Sequence, residues 1–208
     1  MEYRRLGRSG LQVSVLSFGS WVTFHKQIDD SIADELMGIA YEQGINFFDN
    51  AEVYALGESE KMMGRVLKKK NWDRTSYTLS SKAYFGWRGK DNKPNQTGLS
   101  RKHLFEACHE ALQRLQVDYL DLFFCHRPDI NVPVEEVVWT MHNLIQQGKI
   151  LYWGTSTSGV HGIALAPPVP LPTGSFRFTA TSAPQAAFQC PFPRAFPFQP
   201  SYARTAPT

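Results

Sequence analysis

The sequence predicts an α/β fold with a parallel sheet, on three observations. Over positions 1–156, short apolar runs alternate with amphipathic stretches of helical length, a rhythm that requires βαβ crossovers. The helical stretches carry cap and stop signals at their ends. After Ser156 both features cease, and 10 of the 13 prolines fall in 157–208. The chain thus divides into 1–156, a strand–helix region, and 157–208, a Pro/Phe-rich irregular tail.

The elements follow in order. Tyr3–Leu6 and Leu11–Val13 around the turn Gly7–Gly10 form a small hairpin. Val13–Phe18 is the first parallel strand, closed by Gly19. A helix follows with Asp30 or Ser31 as N-cap, Ile32, Leu36, Ile39 and Ala40 on its apolar face, and Gly44 as its stop. Ile45–Phe48 is the second strand. Ser59–Lys69 is a helix striped by Met62, Met63, Val66 and Leu67, and Tyr77–Ser81 is the third strand. Ser100 caps a helix lined by Leu104, Cys108, Ala111, Leu112 and Leu115, ahead of a fourth strand, Tyr119–Phe124. Pro133 opens a helix at its N1 position, Gly148 stops it, and Ile150–Trp153 is the fifth strand. Alternation turns Val15, one of Phe47 and Phe48, and one of Leu122 and Phe123 to the inner face. In 157–208, proline at this density stops helices and removes ladder donors from strands.

Composition excludes several classes. Of 22 Lys and Arg, 19 lie in 1–156 with all 19 Asp and Glu, so that region is neutral and offers no nucleic-acid footprint. The run Lys68–Lys70 reads as a solvated helix end. The N-terminus lacks the apolar core of a secretory signal, and no window reaches the ~18 apolar residues of a membrane span, so a cytoplasmic location without membrane insertion is expected. Cys108, Cys125 and Cys190 are too scattered for a disulfide framework or zinc site, and the six histidines show no ligand spacing. Cys125 and His126 do not make a nucleophilic pair, because strand neighbours point to opposite faces.

In parallel α/β folds chemistry collects at the carboxyl ends of strands. Those positions hold Asp49, with Tyr54 five residues on, then Lys82, His126, Thr155 and Ser156. Any one of these alone reads as an ordinary surface or capping residue; four at successive strand ends form a set. A neighbouring ammonium pulls a phenol's pKa down toward useful general-acid strength. A carboxylate would hold that ammonium, and an imidazole would orient a substrate oxygen. Such a set suits protonation of an alkoxide as hydride reaches a carbonyl.

The surrounding runs Phe47–Tyr54 with Gly57–Glu60, Gly98–His103, Asp121–Asp129 and Tyr152–Ser156 resemble the motifs of aldo-keto reductases. They are closest to the branch that contains the voltage-gated potassium-channel β-subunits. The resemblance spans 2–156. It implies a (β/α)8 TIM barrel using NADPH to reduce aldehydes and ketones. It implies Tyr54 as proton donor, Lys82 as the group that tunes it, Asp49 as the partner of Lys82, and His126 as the group orienting a small carbonyl substrate. Ser20, Trp21, Gln27, Asp49, His126 and Ser156 match cofactor-contacting positions. Animal channel subunits tend to have asparagine where His126 stands. A closed barrel needs eight strands and 1–156 supplies five, so the expectation is an incomplete barrel. The alternatives to a reductase are a redox-sensing β-subunit bound to a channel α-subunit, a homo-oligomer of that kind, or a product without function.

Overall fold

The structure, a computed structural model, describes residues 1–7, 9–25 and 27–156; the tail expected over 157–208 lies outside these residues. Strands β1 (Tyr3–Arg5) and β2 (Gln12–Ser14) pair antiparallel as the expected hairpin, with Arg4 opposite Val13. The apolar run from Val13 does not continue as one strand. Ser14 donates its hydroxyl to the Leu16 carbonyl at 2.6 Å and its N–H to Asn46 Oδ1 at 2.7 Å. The local bond to Leu16 and the one to Asn46, 32 residues on, turn the chain through 15–17. The first parallel strand is therefore only β3 (Phe18–Gly19).

Beyond β3 the expected alternation holds. Helix α1 (Asp30–Glu42) leads to β4 (Phe47–Asp49), α2 (Glu58–Lys70) to β5 (Thr78–Ala83), α3 (Arg101–Leu115) to β6 (Leu120–Cys125), and α4 (Val134–Gln146) to β7 (Ile150–Thr155). The parallel strands lie in the order β3-β4-β5-β6-β7. Each strand sits beside its successor, so every crossover advances in the same direction. That is the winding of a β/α barrel, whereas a doubly wound sheet reverses partway. The described residues contain five parallel strands in an open sheet with β3 and β7 at its edges.

Side-chain contacts settle which face is inner. Ser80 and Lys82 of β5 reach Asp49 on one side, while Ser81 reaches Glu60 of α2 on the other. Register then sets Phe47, Leu122 and Phe124 on the inner face and Phe48, Leu79, Phe123 and Trp153 on the helix side. The helix-side residues join Met37, Met62, Met63, Leu104, Leu112 and Met141 in the main core. Helices α2 and α3 meet closely at Gly64, where a Cβ would stand 2.4 Å from the Arg114 carbonyl oxygen. No larger residue permits that approach of α2 to α3.

Helix α1 corrects the expectation in two respects. Its N-cap is Asp29, whose carboxylate accepts from the N–H groups of Ser31 and Ile32. Its buried face is Ala33, Met37 and Ala40, while Ile32, Leu36 and Ile39 are 40–49% exposed. Both stripes have helical spacing; the buried one belongs to the core that α1 shares with α2. In α3 the expected face is the buried one, and Ser100 caps α3 through the His103 N–H as expected. Pro133 is the N-cap of α4, one position ahead of the expected N1.

Candidate active site

Parallel register brings the strand ends to a common rim. Gly19 pairs with Asp49, Asp49 with Ser80, Lys82 with Phe124, and Cys125 with Thr155. Asp49 is thereby carried beside the middle of β5, and Lys82, one residue before the end of β5, faces it. Lys82 lies within the strand rather than after it, because β5 ends two residues later than its apolar pattern suggests.

The Lys82 ammonium is the centre of the cluster. Its Nζ donates to Asp49 Oδ2 at 2.6 Å, to the Asn50 carbonyl at 2.8 Å and to the Tyr54 hydroxyl oxygen at 3.2 Å. An ammonium has three protons, and these three acceptors use all of them. The phenol accepts from Lys82, so its own proton is directed elsewhere. Burial favours the neutral amine, but Asp49 and Tyr54 outweigh it and lift Lys82 above the ordinary lysine value. Asp49 is held at both ends: Oδ1 accepts from Ser80 Oγ at 2.6 Å, and its carbonyl accepts from Ser20 Oγ at 2.9 Å.

Tyr54 sits in a tight turn. Its N–H binds the Ala51 carbonyl, and Ala55 and Leu56 follow with φ of 49° and 55°. Two successive non-glycine residues in the left-handed region are uncommon and cost conformational energy, which marks this turn as held by its surroundings. Burial raises the phenol above its ordinary pKa. Lys82 pulls the other way and Asp49 adds to the rise. The expected lowering by Lys82 is present, but burial outweighs it, and Tyr54 stays protonated at neutral pH.

The His126 ring stands edge-on to Tyr54 at 5.9 Å between centroids and edge-on to Phe85 at 5.3 Å. Its N–H on the backbone binds the Ala83 carbonyl. Burial, with the Lys82 and Arg127 charges adding, lowers the imidazole to about 4, so it is neutral at pH 7. Trp21 lies over Tyr54 at 6.2 Å and is 66% exposed, forming one wall of the rim. Ser156 is buried, its N–H on the Cys125 carbonyl at the end of β6. Gln27 is exposed between β3 and α1, its N–H on Thr23; the ring contacts and hydrogen bonds that join Ser20, Trp21, Asp49, Tyr54, Lys82 and His126 do not extend to it. Cys125 points to the core with its thiol pushed up to about 12, so it is no partner for His126.

Sequence reasoning missed Ser80 and the Asn50 carbonyl. Period-2 spacing from Lys82 was a usable signal for Ser80, which shares its face. A backbone carbonyl leaves no sequence signal.

The sequence matches the Aldo/keto reductase family over residues 15–180, well over half of its length, and the protein belongs to that family. Family members are NAD(P)-dependent oxidoreductases acting on carbonyl compounds and have a (β/α)8 fold, with which the sequential five-stranded sheet agrees. An exposed indole face and a neutral imidazole stand beside a protonated phenol at this rim, a donor set compatible with the nicotinamide end of such a cofactor. Among the described residues, no helix is long and apolar enough to cross a membrane.

Proposed function

We propose that this protein is an NADPH-dependent reductase of aldehydes or ketones, of the branch that also contains the channel β-subunits. The observation that carries the reading is the single ammonium of Lys82 bonded at once to a carboxylate and to a buried phenol. Ser20, Trp21, Gln27, Asp49, His126 and Ser156 would hold the cofactor, which supplies hydride when bound. Tyr54 gives its proton to the carbonyl oxygen as negative charge develops there. Lys82, fixed by Asp49, then stabilises the phenolate by charge and hydrogen bond, which lowers the barrier to proton loss from an acid that is otherwise too weak. Neutral His126 donates a hydrogen bond to the same oxygen and orients it without competing for the proton. Burial keeps water from supplying a proton in place of Tyr54.

Tyr54→Phe is the direct test, because it removes one oxygen and leaves the ring stack on Trp21. Turnover of a generic aldehyde should fall at least about a hundredfold, with NADPH affinity, followed by quenching of tryptophan fluorescence, little changed. Wild-type turnover in that variant would refute the role of Tyr54.

A further inference from the structure

Glu52 is 1% exposed and has no part in the mechanism above, yet its backbone N–H and one carboxylate oxygen are bonded to β5, to the loop after it and to α3. Its backbone N–H binds the Lys82 carbonyl at 3.1 Å, so the loop after β4 stays paired to β5 beyond the end of the strand. Its Oε1 accepts from the N–H of Tyr84 at 2.7 Å and of Gly86 at 2.8 Å, the residues that flank Phe85. The same oxygen meets His103 Nε2, on the first turn of α3, at 3.2 Å. Gly86 has φ of 69°, and a Cβ there would lie 2.4 Å from the Gln96 carbonyl oxygen, so the turn presenting these amides to Glu52 is tightly constrained.

The consequence is geometric. Tyr54 follows Glu52 by two residues, through the turn closed by the Tyr54 N–H on Ala51. Lys82 precedes the clamped amides by two and four residues and is bonded to the Glu52 N–H through its carbonyl. Phe85, held between the two clamped N–H groups, packs its ring on His126. Tyr54, Lys82 and His126 are therefore each tied to Glu52, by two residues of backbone, by the Lys82 carbonyl on the Glu52 N–H, and by the Phe85 ring between the clamped amides. A buried carboxylate with several donors is a stiff joint, because each donor would lose a charge-assisted bond on leaving.

We infer that Glu52 is a positioning residue, which through Tyr84, Gly86 and His103 fixes the distance between the Tyr54 phenol and the Lys82 ammonium and sets the Phe85 wall against His126. This rests on the catalytic reading of Tyr54, which Tyr54→Phe turnover tests separately.

The experiment titrates Tyr54 itself by 13Cζ-tyrosine NMR in the 208-residue chain, assigned with Tyr54→Phe. Glu52→Ala should move the phenol's acid dissociation constant about tenfold, because a loosened loop alters both the burial that raises the phenol and the Lys82 contact that lowers it. Glu52→Gln keeps an oxygen for the Tyr84 and Gly86 amides and should stay within about threefold of the parent. Glu52→Asp is one methylene short and should behave like Glu52→Ala. A merely structural Glu52 would lower the unfolding midpoint of these variants and leave the Tyr54 titration unmoved, and that result overturns the inference. Should the variants fail to fold, hydrogen exchange in the parent decides. The amides of Tyr54, Tyr84 and Gly86 should open together, with protection factors within about threefold, and a spread above about tenfold overturns the inference. Full turnover in Tyr54→Phe would remove the catalytic reading without touching the titration. An unmoved titration in Glu52→Ala would remove the role of Glu52 and leave that reading intact.

Discussion

Replacing His126 by asparagine should make the fold less sensitive to acid. The imidazole is held at about 4 against an ordinary 6.5, first by burial and then by the Lys82 and Arg127 charges. The folded state therefore prefers neutral His126, and the unfolded chain binds the proton more readily. Stability from this preference is complete above the unfolded value of 6.5. It is lost as pH falls from 6.5 toward 4, where the unfolded chain takes up a proton that the folded chain refuses. At about 1.4 kcal/mol for each tenfold in proton affinity, the ceiling is about 3 kcal/mol. Partial exposure of the ring and screening by water bring this to about 2 kcal/mol. Urea unfolding of the parent and of His126→Asn near pH 7 and near pH 4.5 isolates the effect, because carboxylate titration is common to both chains. The parent should lose about 2 kcal/mol more than the variant over that interval. Equal losses, within about 0.5 kcal/mol, would refute the argument that His126 is kept neutral by its surroundings.

Other changes have equally definite outcomes. Lys82→Met removes the one influence that lowers the Tyr54 phenol most, so the phenol should titrate still higher and carbonyl reduction should fall about a hundredfold or more in steady-state assays. Ser80→Ala leaves Asp49 Oδ1 without its hydroxyl donor and should cost about 1.5–3 kcal/mol in urea unfolding, the range for hydrogen bonds to charged groups. Gly64→Ala gains about 1 kcal/mol of helix propensity, but its Cβ meets Arg114 and Leu115 backbone atoms within 2.8 Å; a net loss of stability, read as a lower thermal midpoint, is expected. NADPH should exceed NADH in kcat/KM by at least about tenfold, and comparable values would count against the cofactor proposed.

The strand–helix rhythm was legible in the sequence because each crossover repeats it, and the order of elements over 18–155 follows from it directly. The boundaries that differ have local causes. A hydroxyl and an asparagine turned the Val13–Phe18 run out of the sheet after two residues, a competition that apolar patterning does not register. In α1 the chain offered two stripes of helical spacing. Summed hydrophobicity favours Ile32, Leu36 and Ile39, whereas the space beneath the helix admits Ala33, Met37 and Ala40. Hydrophobicity ranks faces by transfer energy, whereas the face that is buried is set by where α2 lies, the helix against which α1 packs.

The site shows the same division between what chain position determines and what tertiary contact determines. Asp49, Lys82 and His126 were legible because each is tied to the end of a strand, and parallel register brings strand ends together whatever the loops do. Tyr54 was legible from its place in the loop after Asp49 and from its surrounding motif, but its contact with Lys82 depends on a turn with two left-handed residues that no periodicity encodes. Ser80 shares a face with Lys82 by simple alternation and was recoverable. Glu52 was not, because its partners lie 32, 34 and 51 residues away and two of them are backbone amides. Residues that carry the proposed chemistry are thus announced by position along a strand. The residue that holds them at their working distances is announced by nothing in the chain, since its role exists only once β5, α3 and the Tyr54 turn have come together around it.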